Sequence, residues 1–259
     1  VAEAFEKANA GIKVEVGTSG TGGGFKKFLR GDIDIADASR PILAAELAEA
    51  KKLGVEFIEI PVAFDALTVM VNPKNTFVDQ LTVEELKKIW EPGAKDTITR
   101  WSQVRAGWPD ESLSLYGAGT DSGTFDYFTE AVVGKAKSSR SDYTASENDN
   151  TLVQGISRDI HALGYFGYAY YVANPGTLKA VPVVNPKTGK AVLPSEATVR
   201  DGTYVPLSRP LFIYVNKKAI EKPEVRRFVA YFLKEGTAQI SKVGYVPLPE
   251  SAYKKALNR

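Results

Sequence analysis

The sequence predicts an α/β protein with mostly parallel strands, arranged as two lobes joined by two crossing strands. Three observations lead there. Strand-like and helix-like segments alternate along the chain. Glycine-rich turns follow strand-like segments and lead into helices at 17–24 (GTSGTGGG) and 117–123. Two apolar runs, 67–71 and 211–215, share one pattern and are closed alike by Asn72 and Asn216.

The elements follow in order. The opening VAEAFEKANAG reads as the last turns of an amphipathic helix closed by Gly11. No capping residue starts it, which predicts a further segment before Val1 in the full protein. Residues 12–16 alternate apolar and polar, as a strand does. After the first glycine-rich loop a short helix is expected at 25–29, a strand at 32–36, a helix at 43–53 and a strand at 55–60. Residues 61–72 are a long apolar run without helix caps, expected to pass as a strand between structural units. A helix at 81–90 has Thr82 as N-cap and Glu85 three residues on. A strand at 113–116 enters the second glycine-rich turn, and helices follow at 124–133 and 151–160. The aromatic run 163–171 reads as a strand. After the crossing strand at 211–215 come helices at 223–235, 237–242 and 251–257. The expected lobes are therefore 1–66 with 211–259, and 67–210, with the ligand cleft between them.

Composition narrows the function. The 259 residues include 44% hydrophobic and 25% charged residues, and the net charge is +2. Those values suit a globular chain with a substantial core. No run of like charge marks a nucleic-acid or membrane surface, so a nucleic-acid partner is not expected. There is no cysteine, which removes disulfides, thiolate catalysis and cysteine metal sites. The single histidine, His161, cannot build a histidine metal cluster. No apolar stretch is long enough to span a membrane.

The chemical signal lies in three turns rich in Gly, Ser and Thr: 17–24, 37–41 (DASRP) and 117–124 (GAGTDSGT). The first N–H groups of a helix lack partners inside it, and its dipole places positive charge there. Glycine lets backbone approach a ligand, and hydroxyls donate to anion oxygens. Together these hold an oxyanion with neutral donors. Each piece has a plainer reading. A lone glycine-rich turn is most often only a turn, Ser122 before a helix can be just an N-cap, and Arg40 before Pro41 can be a solvated surface arginine. A nucleotide site fits poorly, since Lys26 is followed by Lys27 rather than Ser or Thr. The DSGT run invites a serine-hydrolase reading with Ser122 as nucleophile, although it is not a GxSxG elbow. Tyr165, Phe166, Tyr168, Tyr170 and Tyr171 read as packing, as do the three tryptophans.

At these loops the sequence resembles the PstS-type periplasmic phosphate-binding proteins, the receptors of phosphate ABC importers. The stretches VGTSGTGGGFKKF, DIADASRPI, IPVAFDALTVMVNP, LTVEELKKIW, YGAGTDSGTFDYF, ALGYFGYAYY and RPLFIYVNK carry the resemblance in order across nearly the whole chain. It implies a type II periplasmic-binding-protein fold whose two lobes close around one phosphate. It also implies a monomer, a membrane permease as partner, no cofactor and no metal, no enzymatic activity, and a periplasmic or extracytoplasmic location. Membrane anchoring through a preceding segment belongs to the same expectation.

Such proteins hold the anion by four segments, of which the first, a Ser/Thr turn after an opening strand, is not in this sequence. The second falls on Thr21, the third on Ala38, Ser39 and Arg40, and the fourth on Ser122, Gly123 and Thr124. Two departures stand out. Many relatives carry an aspartate where this chain has Arg40, and an arginine where it has Ala118. Arg40 is the expected charge partner, with Arg140 as a second candidate whose alternative is a surface pair with Asp142. The expected phosphate ligands are thus Thr21, Ser39, Arg40, Ser122, Gly123, Thr124 and Arg140. Another tetrahedral oxyanion, sulfate or molybdate, stays open as an alternative, as does the hydrolase.

Overall fold

The computed structural model describes residues 1–258, so Arg259, the last residue of the first expected lobe, lies outside the described residues. The chain divides into two compact units, one made of Val1–Asp65 with Arg209–Arg259 and the other of Ala66–Ser208. No helix among the described residues is long and apolar enough to cross a membrane.

In the first unit, strand order runs Ile35–Ala38, then 209–216, then 57–65, with Val246–Pro247 paired onto the last of these. The register is antiparallel and places Ala36 opposite Tyr214 and Ala38 opposite Phe212. Successive strand residues face opposite sides, and the sequence exploits this. Ala36, Ala38, Phe212 and Tyr214 join one core cluster, while Ile213 and Val215 join another with Ile60 and Val62. Helix Thr21–Arg30 covers the first face with Phe25, Phe28 and Leu29, which helical periodicity puts on one side. Helix Pro223–Leu233 covers the second with Val225, Val229 and Leu233. Each fully buried large side chain contributes about 1.5–3 kcal/mol relative to exposure.

In the second unit, the order is 66–71, Ala162–Gly167, Ser114–Ala118, Thr144–Ser146, with Lys179–Ala180 also on 66–71. Helix Asp149–Arg158 buries Leu152, Val153 and Ile156 beside Met70 and Phe166. An aromatic stack forms a second centre: Phe128 lies flat on Tyr165 with centroids 3.6 Å apart, and Trp90 meets Tyr165 edge-on at 4.9 Å. The aromatic run therefore serves packing, as expected.

Several expectations are corrected. The sequence predicts mostly parallel strands, yet most strand pairs among the described residues are antiparallel; Ser114–Ala118 pairs in parallel with both of its neighbours, and Leu81 and Val183 form an isolated parallel bridge. Residues 12–16 form no strand among the described residues, and Val16 is 73% exposed. The 55–60 strand and the 61–72 run are one strand, Phe57–Val71. The helix after the first glycine-rich loop begins at Thr21, so residues 21–24 are its first turn rather than loop. The aromatic strand stops at Gly167, and Tyr168–Ala173 is a helix. The expected helix at 237–242 is two short 3-10 turns, Glu235–Gln239 and Ser241–Val243, since Gly236 and Gly244 bracket too short a run for an α-helix.

Gly164 shows how tight the second sheet is. A Cβ there would lie 2.5 Å from Ile156 Cδ1 and 2.7 Å from the Tyr116 carbonyl oxygen. Backbone cannot step aside cheaply, so Gly164→Ala is expected to destabilise the chain by about 1–3 kcal/mol. Urea unfolding followed by circular dichroism checks this.

Candidate functional site

In the first unit, three sequence-expected residues meet. Helix Thr21–Arg30 starts behind Gly20, whose extended backbone turns the chain into the helix without a side-chain cap. Strand Ile35–Ala38 ends one residue before Ser39. This brings the Thr21 and Ser39 hydroxyl oxygens to 3.1 Å, and the Ser39 N–H donates to Thr21 Oγ1 at 3.2 Å. Ser19, Thr21, Asp37 and Ser39 line a cavity of about 460 Å³ together with apolar residues that include Ile213 and Ile240. Burial pushes the Asp37 carboxyl above its ordinary range.

Arg40 follows at once, but it is not a free cation. Its NH1 and NH2 donate to the two Glu46 oxygens, each at 2.8 Å, and NH1 also donates to the Pro41 carbonyl at 3.1 Å. Its guanidinium lies 5.5 Å from the Phe25 ring centroid. The hydrogen bonds from Arg40 hold the Glu46 carboxyl below its usual value. Glu46 also accepts the Leu43 N–H at 2.9 Å, as an N3 glutamate does at a helix start. A planar, bidentate pair fixes the arginine's direction.

In the second unit, strand Ser114–Ala118 delivers the loop to helix Gly123–Val133. Ser122 is its N-cap: Ser122 Oγ accepts the Thr124 N–H at 3.1 Å, and the Ser122 N–H donates to the Gly119 carbonyl at 3.1 Å. The N–H of Gly123 opens the helix, and the helix dipole adds positive potential there. Sequence reasoning passed over Glu147. Its Oε1 accepts the Asp121 N–H at 3.3 Å, and the carboxylate occupies the space a Cβ on Gly119 would need. Thus Gly119 is glycine because a second loop leans on it. Glu46 had a local signal, a glutamate three residues after the helix start; Glu147 had none, lying 26 positions from Asp121.

Arg140 is corrected in place. It is buried, 4% exposed, rather than a surface residue. Its Nε and NH2 donate to Asp142 at 2.6 and 2.7 Å, and its NH1 donates to the Ile89 and Ile98 carbonyls at 3.1 and 2.9 Å. That arrangement ties three chain segments together and commits the guanidinium to the core. The hydrolase reading finds no support from His161, whose ring lies 6.4 Å from that of Phe77 and makes no hydrogen bond to Ser122 among the described residues.

With this geometry in hand, the chain can be set beside known proteins. The family model of the PBP superfamily domain matches residues 1–235. The chain belongs to the PBP superfamily. Among relatives of this superfamily domain, the protein SphX of Synechocystis sp. is 54% identical over 96% of this chain and 74% of its own length. The phosphate-binding protein PstS of Staphylococcus aureus is 37% identical over 99% of this chain and 76% of its own. A crystal structure of a possible phosphate binding protein from Planctomyces limnophilus superposes with a TM-score of 0.94 at 50% identity, covering 99% of this chain and 90% of that one. An ABC-type phosphate transport receptor from Vibrio cholerae shares the fold, with a TM-score of 0.70 at 23% identity over 96% of this chain and 93% of that one. The superfamily's periplasmic-binding-protein fold, mixed α/β in two units, is the fold of this chain.

The Arg140 pair makes two expectations about this PBP domain. Arg140→Ala removes two hydrogen bonds to Asp142 and leaves the Ile89 and Ile98 carbonyls without their buried donor, and is expected to cost about 1–3 kcal/mol in urea unfolding. The hydrogen bonds from Arg140 hold the Asp142 carboxyl far below the usual carboxylate range. A depressed folded-state value means the pair's contribution is complete above the unfolded value of about 3.9 and is lost as pH falls from there toward the folded value. Between about pH 5 and about pH 2 the native chain should therefore lose more stability than Asp142→Asn, which unfolding curves across that range measure.

Proposed function

We propose that this chain binds inorganic phosphate outside the cytoplasm and delivers it to the membrane permease of an ABC importer, as a monomer and without catalysis. The donors are the hydroxyls of Thr21, Ser39, Ser122 and Thr124, the N–H groups of Gly123 and Thr124, and Arg40. Arg140 is left out, because its donors are spent in the core. The observation that carries the reading is the pair of hydroxyl-and-amide groups at strand-to-helix turns in a chain 37% identical to a phosphate-binding PstS over 99% of its length.

Chemistry supports the same reading. Hydroxyls, amides and an arginine fork match the oxygens of a tetrahedral anion. Arg40 is oriented by Glu46 before any anion arrives, so little side-chain freedom is lost on binding. The Ser122 hydroxyl is engaged as a helix cap, and no hydrogen bond among the described residues joins it to a base, which argues for binding rather than for nucleophilic attack.

Isothermal titration calorimetry with phosphate, sulfate and molybdate tests the proposal. Phosphate is expected to bind one to one and more tightly than the other two anions. No binding of phosphate at millimolar concentration contradicts it, and tighter binding of sulfate or molybdate reassigns the ligand. Arg40→Ala is expected to weaken phosphate binding by about tenfold or more, the effect of one charge-assisted hydrogen bond. Turnover of phosphate or acyl esters that vanishes in Ser122→Ala would favour a hydrolase instead.

A further inference from the structure

We propose that Tyr214 is a positioning residue of the anion site: its buried hydroxyl holds the 39–42 turn in the shape that presents Ser39 and Arg40 to phosphate. The inference rests on the phosphate reading above. It starts from the way this turn is bonded. Between strand Ile35–Ala38 and helix Ala44–Lys52, the N–H groups of Ser39, Ile42 and Leu43 donate to side-chain oxygens of Thr21, Tyr214 and Glu46, at 3.2, 2.9 and 2.9 Å. Pro41 has no N–H to give. Side chains rather than neighbouring backbone therefore set the shape of the turn, and Tyr214 reaches it from 172 positions away in sequence.

Tyr214 lies on the 209–216 strand opposite Ala36 and is fully buried. Its O–H donates to Glu59 Oε2 at 2.5 Å, which leaves the oxygen's lone pairs for the Ile42 N–H. Burial first, and then the bond to Glu59, raise the hydroxyl's pKa above its ordinary value, so it keeps its proton throughout the neutral range. The ring meets Phe25 edge-on, with centroids 4.8 Å apart, and Phe25 belongs to the helix that opens with Thr21. The Arg40 guanidinium lies over the same Phe25 ring. One buried side chain thus contacts the helix that carries Thr21 and the turn that carries Ser39 and Arg40.

The ring and the hydroxyl have separable tasks. A phenylalanine would fill the same place against Phe25 and Phe57. The hydroxyl is what ties the turn to the sheet, since Glu59 lies on strand Phe57–Val71. Without it the Ile42 N–H loses its partner, and the turn samples shapes in which Ser39 and Arg40 no longer converge. Apparent affinity then falls with the fraction of chains that hold the binding shape. A residue that served stability alone would move the unfolding midpoint and leave the affinity of the folded chain as it was.

Calorimetry with phosphate at neutral pH, on variants of the full chain shown to be folded by circular dichroism, provides the test. Tyr214→Phe and Glu59→Leu are each expected to weaken phosphate binding by about three- to tenfold, the reach of one hydrogen bond. Glu59→Gln keeps an acceptor oxygen for the Tyr214 O–H and is expected to bind at least about threefold more tightly than Glu59→Leu. Native affinity in a folded Tyr214→Phe, or equal affinity in Glu59→Gln and Glu59→Leu, overturns the inference while leaving phosphate binding in place. A native chain that binds no phosphate overturns the underlying reading instead. Should the variants fail to fold, amide hydrogen exchange on the native chain without phosphate decides. Exchange of the Ile42 N–H at least about a hundredfold slower than that of an exposed amide supports the inference, and exchange at the exposed rate overturns it.

Discussion

One strand, Phe57–Val71, constrains the rest of the molecule, because its first part belongs to the sheet of one unit and its last part to the sheet of the other. Its registers fix the strands that carry the donor loops. Residues 57–65 hold 209–216, which in turn hold Ile35–Ala38 and so place Ser39 and Arg40. Residues 66–71 hold Ala162–Gly167, which hold Ser114–Ala118 and so place the loop at 117–124. The strand is pinned where it leaves the first unit. Arg209 donates to Asp65 Oδ2 at 3.1 and 3.2 Å, and burial pushes the Asp65 carboxyl up against the pull of that arginine. Just beyond, the Leu67 carbonyl accepts from the Tyr204 hydroxyl at 2.8 Å and the Leu67 N–H donates to the Leu207 carbonyl at 2.8 Å.

On that scaffold, both donor groups solve one problem with different charge arrangements. In the first unit a cation is present but already paired, Arg40 on Glu46. In the second unit the Glu147 carboxylate leans on the loop, accepting the Asp121 N–H. Neither group is a simple positive patch, which agrees with a net charge of only +2 for the whole chain. Directional donors rather than bulk charge then decide which anion fits. Hydrogen bonds to an ionised group are the stronger kind, so a few well-placed amides and hydroxyls suffice.

Much of this was legible in the sequence, and the exceptions have physical causes. The Thr82 and Glu85 spacing announced a capping box that the structure contains, and Ser122 announced the N-cap before Gly123. The apolar runs around Leu67 and Ile213 announced strands. The direction of those strands was hidden, since periodicity does not distinguish parallel from antiparallel neighbours. Residues 12–16 had the pattern of a strand, but a strand exists only with a partner to bond. Arg140 reads in sequence as a second charge partner for the anion, or else as a surface pair with Asp142; its burial depends on carbonyls at Ile89 and Ile98, some forty to fifty positions away in sequence. Glu147 was invisible for the same reason, and only the missing Cβ of Gly119 hinted that something approached that loop.

A crystal structure of the chain grown with phosphate tests the central claim most directly. The account predicts phosphate oxygens on the Gly123 and Thr124 N–H groups, and Arg140 still paired with Asp142. Phosphate seated on Arg140, or a 117–124 loop left without an anion at saturating phosphate, would contradict it.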